Sequence, residues 1–206
     1  TTSFQTPLVL NLCDGDEVNG TPGVSVIHYL KEKRLIFTGA DAALYDNTTS
    51  KIIMKELFDK EGIAHAVSNP IHQEKQIVNG IFEEVGSPMI VKPAVSGGSM
   101  GLGVENVVHN EEELKALVKE LFEGYRGWDF SFGGLVAEEF INGPEYTVFI
   151  SGSHHSPRSR KIYTPVERIF HKDLPDTEKF LSFDRLWETY EKEKARLIVK
   201  YSAGEN

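Results

Sequence analysis

Apolar and polar positions change their rhythm near residues 66–70, and the two sides predict different architectures. "LVLNLC" (8–13) reads as a buried strand running into a turn-rich segment, "DGDEVNGTPG". "VSVIHYLKEK" (24–33) suits a short helix and "RLIFTG" (34–39) a second strand. In "NTTSKIIMKELFDKEG", Asn47 or Thr48 offers an N-cap, Ile53, Leu57 and Phe58 fall on one face, and Gly62 stands where a helix stops. Strand, helix, strand, helix is an α/β signal with a parallel sheet.

Beyond residue 70 the pattern becomes α+β. "PMIVKP" (88–93) is a strand that enters a glycine-rich loop, and "VENVV" (104–108) reads as the returning strand. "NEEELKALVKELFEGY" is the clearest helix. Asn110 and Glu113 make a capping-box-like start, and Leu114, Leu117, Val118, Leu121 and Phe122 form its apolar stripe. "LVAEEFI" (135–141) and "EYTVFIS" (145–151) flank the turn signal "NGP", which predicts antiparallel pairing or a tight reversal. "PVERIF" is a further strand candidate. The polar, aromatic-dotted stretch after it predicts a long loop and then a helix, as in a mobile lid.

Composition narrows the function classes. With 206 residues, 40% hydrophobic and 26% charged, the chain can build a sizeable core as one large or two small domains. No apolar run approaches the roughly 20 residues that span a bilayer, so no membrane partner is expected. Cys13 is the single cysteine; with no signal-like start, a reducing, cytoplasmic setting is expected. Asn47 heads an "NTT" glycosylation sequon, read as chance in that setting. The net charge of −9 argues against nucleic acid, and the one dense basic run, "RSRK" (158–161), reads as a solvated loop. Nucleotides stay open, because a few local cations suffice for them.

"VKPAVSGGSMGLGV" (91–104) carries the candidate chemistry. Lys92 closes an apolar strand, and a loop nearly bare of side chains follows. Backbone amides in such a loop approach phosphate oxygens closely, and a lysine on the preceding strand adds a compact cation. A flexible hairpin tip would look similar. Neither GxxxxGK[ST] nor GxGxxG is present. His154 and His155 lie in a polar loop with no further ligand at metal spacing, so they read as surface and no metal site is assigned.

Several ordered stretches resemble ATP-grasp ligases, in particular the D-alanine–D-alanine ligase family. They are the glycine loop, the segment "DGDEVNGTPG…TGADAALYDNTTSKIIMKELF", the run "LVAEEFINGPEYTVFI", and "PVERIF". The likeness covers roughly residues 8–170. It implies a partial pre-ATP-grasp (Rossmann-like) segment over 1–66 and an ATP-grasp region with antiparallel sheet over 67–206. It also implies ATP and Mg2+ as cofactors, an amino-acid or carboxylate substrate, a homodimer as candidate assembly, and ligation through an acyl phosphate. A non-catalytic nucleotide-binding module and an α/β interaction domain stand as rivals.

The resemblance places Lys51 at the helix start on the ATP phosphates, and Lys92 near phosphates and adenine. Gly97, Gly98, Ser99, Met100 and Gly101 match the loop over the β- and γ-phosphates. Glu138 and Glu139 match the hinge pair beside adenine, Ile141 the residue whose backbone bonds the ring, and Glu145 the ribose carboxylate. Adjacent strand residues face opposite ways, so only one of Glu138 and Glu139 points into a site. Asp14, Asp16 and Glu17 are candidates for orienting an amino-acid substrate, and equally an ordinary exposed turn. The family's metal carboxylates come later in the chain than anything here. Glu205 and Asn206 do not reproduce their Glu-x-Asn spacing, so the catalytic residues stay unassigned and a longer enzyme is expected.

Overall fold

The computed structural model describes residues 7–73, 80–153, 155–188 and 200–203. His154, Glu205 and Asn206 lie outside them. Residues divide into two compact units, 1–140 and 141–206.

The first unit opens with β1 (Leu8–Val9), α1 (Val24–Glu32) and β2 (Ile36–Phe37). β1 and β2 pair in parallel, as the α/β pattern requires, but each is only two residues long. Leu8, Leu10 and Leu12 are well exposed, so "LVLNLC" is not the buried strand expected. A two-stranded parallel sheet covers one flank of each strand and leaves the other open. The turn between β1 and α1 closes on itself: Gly15 N–H donates to Pro22 O at 3.1 Å and Glu17 N–H to Thr21 O at 2.9 Å.

The helix expected from Asn47 onward starts later, at Lys51, and a separate helix precedes it. α2 (Ala42–Thr48) is capped by Asp41, whose side chain accepts from Leu44 N–H. α3 (Lys51–Glu61) is capped by Ser50, so Asn47 and Thr48 end one helix rather than start the next. Gly62 stops α3 in the left-handed region (φ +66°), as its type suggests. The face of α3 that is turned inward carries a surprise. Ile53 is exposed, whereas Lys55 is buried at 8% exposure.

β3 (Ser68–Ile71), α4 (Ile81–Val85), β4 (Met89–Pro93), β5 (Val107–Val108), α5 (Glu111–Glu123) and β6 (Leu135–Glu139) complete this unit. The sheet order is β3-β6-β4-β5, antiparallel throughout. β3 contains Pro70, which hid it from the strand pattern; it lies at a sheet edge, where a missing N–H is tolerated. The returning strand is shorter than expected, because 104–106 form a 3-10 turn before β5. Met89, Val91, Leu135, Ala137 and Val108 face the predicted stripe of α5 and form the core with Ile71, Ile81 and Val85. Asn110 caps α5 by accepting from Glu113 N–H at 3.0 Å, and the Glu113 carboxylate accepts from His109 N–H at 2.8 Å.

The second unit holds β7 (Glu145–Thr147), β8 (Ile150–Ser153), β9 (Ser156–Ile162), β10 (Val166–Ile169) and β11 (Lys200–Ala203). β10 lies between β11 and β7, antiparallel to both, which bears out "PVERIF" as a strand. β8 and β9 form a separate hairpin, so "RSRK" is strand rather than loop, though fully exposed. β6 and β7 do not pair across "NGP": they belong to different sheets, and 145–151 breaks into two strands. Where a helix was expected near the lid, Asp184–Glu188 form one π-helical turn; residues 189–199 lie outside the described residues.

Candidate functional site

β4 and β6 present two faces. Met89, Val91, Leu135 and Ala137 go to the core. By alternation, Ile90, Lys92, Val136 and Glu138 occupy the other side. The register sets Lys92 opposite Val136 and Ile90 opposite Glu138, so Lys92 and Glu138 are diagonal neighbours. Lys92 Nζ reaches Glu138 Oε2 at 2.5 Å. Glu138 is buried and Glu139 exposed, which settles which of the pair turns inward.

Helix α3 brings two more cations. Lys51 Nζ donates to Pro93 O at 2.9 Å and Ser96 Oγ at 3.1 Å, at the root of the glycine loop. Its backbone N–H donates to Ala94 O at 2.8 Å, tying the helix start to the loop. One helical turn on, Lys55 Nζ donates to Ala66 O at 3.0 Å and pairs with Glu138 Oε1 at 3.4 Å. Both residues lie on one helix face because their spacing is i, i+4. Burial, then the neighbouring Lys92, pushes the Lys51 ammonium down to about 8, partly countered by Glu138 and Asp16. Burial works to raise the Glu138 carboxyl, but Lys92 and then Lys55 outweigh it and hold it below the usual carboxylate range.

The loop is built for close approach. Gly98, Ser99 and Gly101 have positive φ. A Cβ at Gly101 would lie 2.6 Å from the Phe130 ring and 2.7 Å from Pro93, so only glycine fits. Met100 leans on the core cluster and anchors the tip. Asn106, 1% exposed, pins the far end: Gly103 N–H donates to its Oδ1 at 2.7 Å, while its Nδ2 donates to Val91 O at 2.7 Å and Gly101 O at 2.8 Å.

The acidic turn meets the loop: a Cβ at Gly97 would sit 3.8 Å from Asp14 O. Asp16 is buried. Its Oδ1 accepts from Val18 N–H at 3.0 Å and Thr21 Oγ1 at 2.6 Å, and its Oδ2 has no hydrogen-bond partner among the described residues. Glu17 instead accepts from Gly23 N–H at 2.8 Å and Ser25 N–H at 2.7 Å at the start of α1. The Ser25 bonds chiefly, helped by Gly23, hold its carboxyl low.

In the second unit, Ile141 is 64% exposed. Glu145 forms an ion pair with Arg168 across the β7–β10 ladder. Lys55 and Asn106 were not singled out from the sequence. The "KIIMK" spacing after Ser50 is the signal that could have found Lys55. Asn106 was hidden in a run that reads as strand.

The antiparallel sheet backed by helices is shared with solved ATP-grasp ligases. D-alanyl-alanine synthetase A from Vibrio cholerae O1 superposes with TM-score 0.66 at 18% identity, covering 97% of this chain and 53% of that one. The D-alanine–D-alanine ligase of Helicobacter pylori gives 0.61 at 20%, with the same coverage. That of Bacillus anthracis, complexed with ATP, gives 0.57 at 20%, covering 73% of this chain and 44% of that one. The fold is therefore ATP-grasp.

The family follows from sequence. The model described as "D-ala D-ala ligase C-terminus" matches residues 60–201, and the chain belongs to that family. It is 30% identical over 125 residues to the D-alanine–D-alanine ligase of Staphylococcus epidermidis, 58% of this chain and 32% of the relative. It is also 26% identical over 137 residues to the phosphoribosylamine–glycine ligase of Methanosphaera stadtmanae, 65% of this chain and 31% of the relative. The chain thus spans about a third of the length of these curated relatives.

Proposed function

We propose that the chain is the nucleotide-binding part of an ATP-dependent carboxylate–amine ligase working through an acyl phosphate. One observation carries this reading. The ammonium groups of Lys51, Lys55 and Lys92 lie about the carboxylate of Glu138, beside a loop whose Gly101 leaves no room for a Cβ. Burial and the neighbouring Lys92 depress Lys51; three cations face the carboxylates of Glu138 and Asp16, and this excess, partly withdrawn from water, suits an anion. A polyphosphate supplies it.

In this reading Lys51, Lys92 and the 97–101 loop hold and screen the phosphates. Glu138, Ile141 and Glu145 serve the nucleoside, as the resemblance assigns them, while Glu139 lies on the opposite strand face. A substrate carboxylate attacks the γ-phosphorus and ADP leaves. An amine then attacks the acyl carbon, phosphate departs, and the amine loses a proton. Asp16 suits an amino-bearing substrate, since its buried Oδ2 accepts from none of the described residues; Glu17 is the weaker candidate, its carboxylate being engaged at α1. Mg2+ belongs to this reading as the partner of ATP. Among the described residues no group of three or more His, Cys, Asp or Glu is arranged to hold a metal, so no step is routed through one. The domain division 1–66 and 67–206 is part of the same proposal.

The test is phosphate release from ATP with magnesium, across D- and L-amino acids. Release that depends on an amino acid supports the ligase. Nucleotide binding without turnover would mark this chain as a binding module, and absence of binding would remove the nucleotide from the reading.

A further inference from the structure

We infer that Lys55 is a positioning residue for the nucleotide: by taking half of the Glu138 carboxylate, it keeps the Lys92 ammonium available to the phosphates. The inference rests on the ATP reading above.

The geometry is a shared carboxylate. Glu138 offers Oε2 to Lys92 at 2.5 Å and Oε1 to Lys55 at 3.4 Å. Both oxygens are occupied, by cations from two different elements, β4 and α3. Lys55 has its own anchor, Ala66 O at 3.0 Å, with His65 Nδ1 at 3.4 Å beside it. At 8% exposure it reaches no solvent-borne phosphate, so it acts through Glu138 rather than on the ligand. The Lys92 side chain is the more open of the two, 25% exposed against 10%.

The charge arithmetic gives the function. A one-to-one Lys92–Glu138 pair would be neutral and closed, and a phosphate would have to break it. With Lys55 added, the cluster keeps one net positive charge, and the carboxylate is stretched between two donors. Lys92 can then lean toward a phosphate without leaving Glu138 a buried, unpaired charge, which is the costly outcome. Glu138 stays ionised throughout because a second lysine always faces it. An arginine at 55 would retain the charge; a methionine would fill similar volume without it.

The experiment is a double-mutant cycle on ATP affinity, titrating the 206-residue chain with ATP and magnesium. Lys55→Met should weaken binding about tenfold, the size expected for losing a charged hydrogen bond's worth of support. In the Glu138→Gln background the same substitution should cost no more than about twofold, since the carboxylate it manages is gone. Lys55→Arg should restore most of the affinity. Thermal melts run alongside, and the double variant, lacking both charges, remains measurable if Lys55→Met alone unfolds. Equal losses in both backgrounds, or unchanged affinity in Lys55→Met, would overturn the positioning role while leaving the nucleotide site intact. A wild-type chain that binds no ATP would instead overturn the reading on which it stands.

Discussion

Asn106 is the residue on which the loop's shape turns. Its side chain satisfies one amide and two carbonyls, the complement that only an amide group provides: an oxygen toward Gly103 N–H and a nitrogen toward Val91 O and Gly101 O. Asn106→Ala deletes all of these and leaves the partners buried. At roughly 1 kcal/mol net per bond, the loss is about 3 kcal/mol, a large share of the ~5–15 kcal/mol that stabilises a domain. Urea denaturation measures it. Leu114→Ala provides the control: Leu114 is fully buried in the core, and its truncation costs a comparable ~2–5 kcal/mol. The two should part in nucleotide binding. At matched folded fraction, Asn106→Ala should weaken ATP binding more, because it releases the loop. Asn106→Asp should do no better, since it sets a carboxylate against two carbonyl oxygens. A stability loss under about 1 kcal/mol would refute the hydrogen-bond reasoning. Equal ATP affinities in the alanine variants would refute the link from loop shape to ligand.

The depressed Lys51 predicts proton linkage. Its folded-state value, about 8, lies below the ordinary 10.5, so the unfolded chain binds more protons between them. The penalty of charging Lys51 is therefore fully present below pH 8 and relieved as pH rises through that window. An anionic ligand reverses the shift, so ATP binding near pH 8–9 should take up a proton; calorimetry in buffers of differing ionisation enthalpy detects it, and no buffer dependence would contradict the placement of phosphate at Lys51. Gly101→Ala forces a Cβ into Phe130 and Pro93 at φ +71°, and about 3 kcal/mol should be lost in chemical denaturation; an unchanged midpoint would show that the loop relaxes freely. Ser50→Ala removes the α3 cap, in which Ser50 Oγ accepts from Ile53 N–H, and should cost about 1 kcal/mol by the same measurement, while Asn47→Ala, not a cap, should cost less than about half of that.

Local signals in this chain were legible where one periodicity or one special residue decided the outcome. The α5 stripe, its Asn110 cap, the Gly62 stop and β4 all appear where the pattern puts them. Elements decided by pairing partners were not. β3 breaks the strand rule with Pro70 and exists because β6 supplies its ladder. β6 and β7 look like a hairpin from "NGP", yet each pairs with strands distant in sequence, and a turn signal says nothing about partners. "LVLNLC" has the composition of a buried strand, but burial depends on how many neighbours a strand acquires.

For the site, the same distinction separates Lys92 from Lys55. Lys92 announces itself, because an apolar strand ending in a cation before proline and glycines is an unusual string. Lys55 sits in an ordinary amphipathic helix where a lysine normally means solvent, and the apolar pattern even assigns the inward face to Ile53, Leu57 and Phe58. What reverses the expectation is Glu138, more than eighty positions later in the chain, whose carboxylate makes the buried ammonium tolerable. Neither residue is explicable alone: Glu138 without its lysines is an uncompensated charge inside a sheet, and Lys55 without Glu138 belongs on the surface. A sequence shows charges one at a time, whereas burial selects them in sets. The candidate site is thus readable in its loop and its first cation, and becomes complete only when the fold brings α3 against the β4–β6 face.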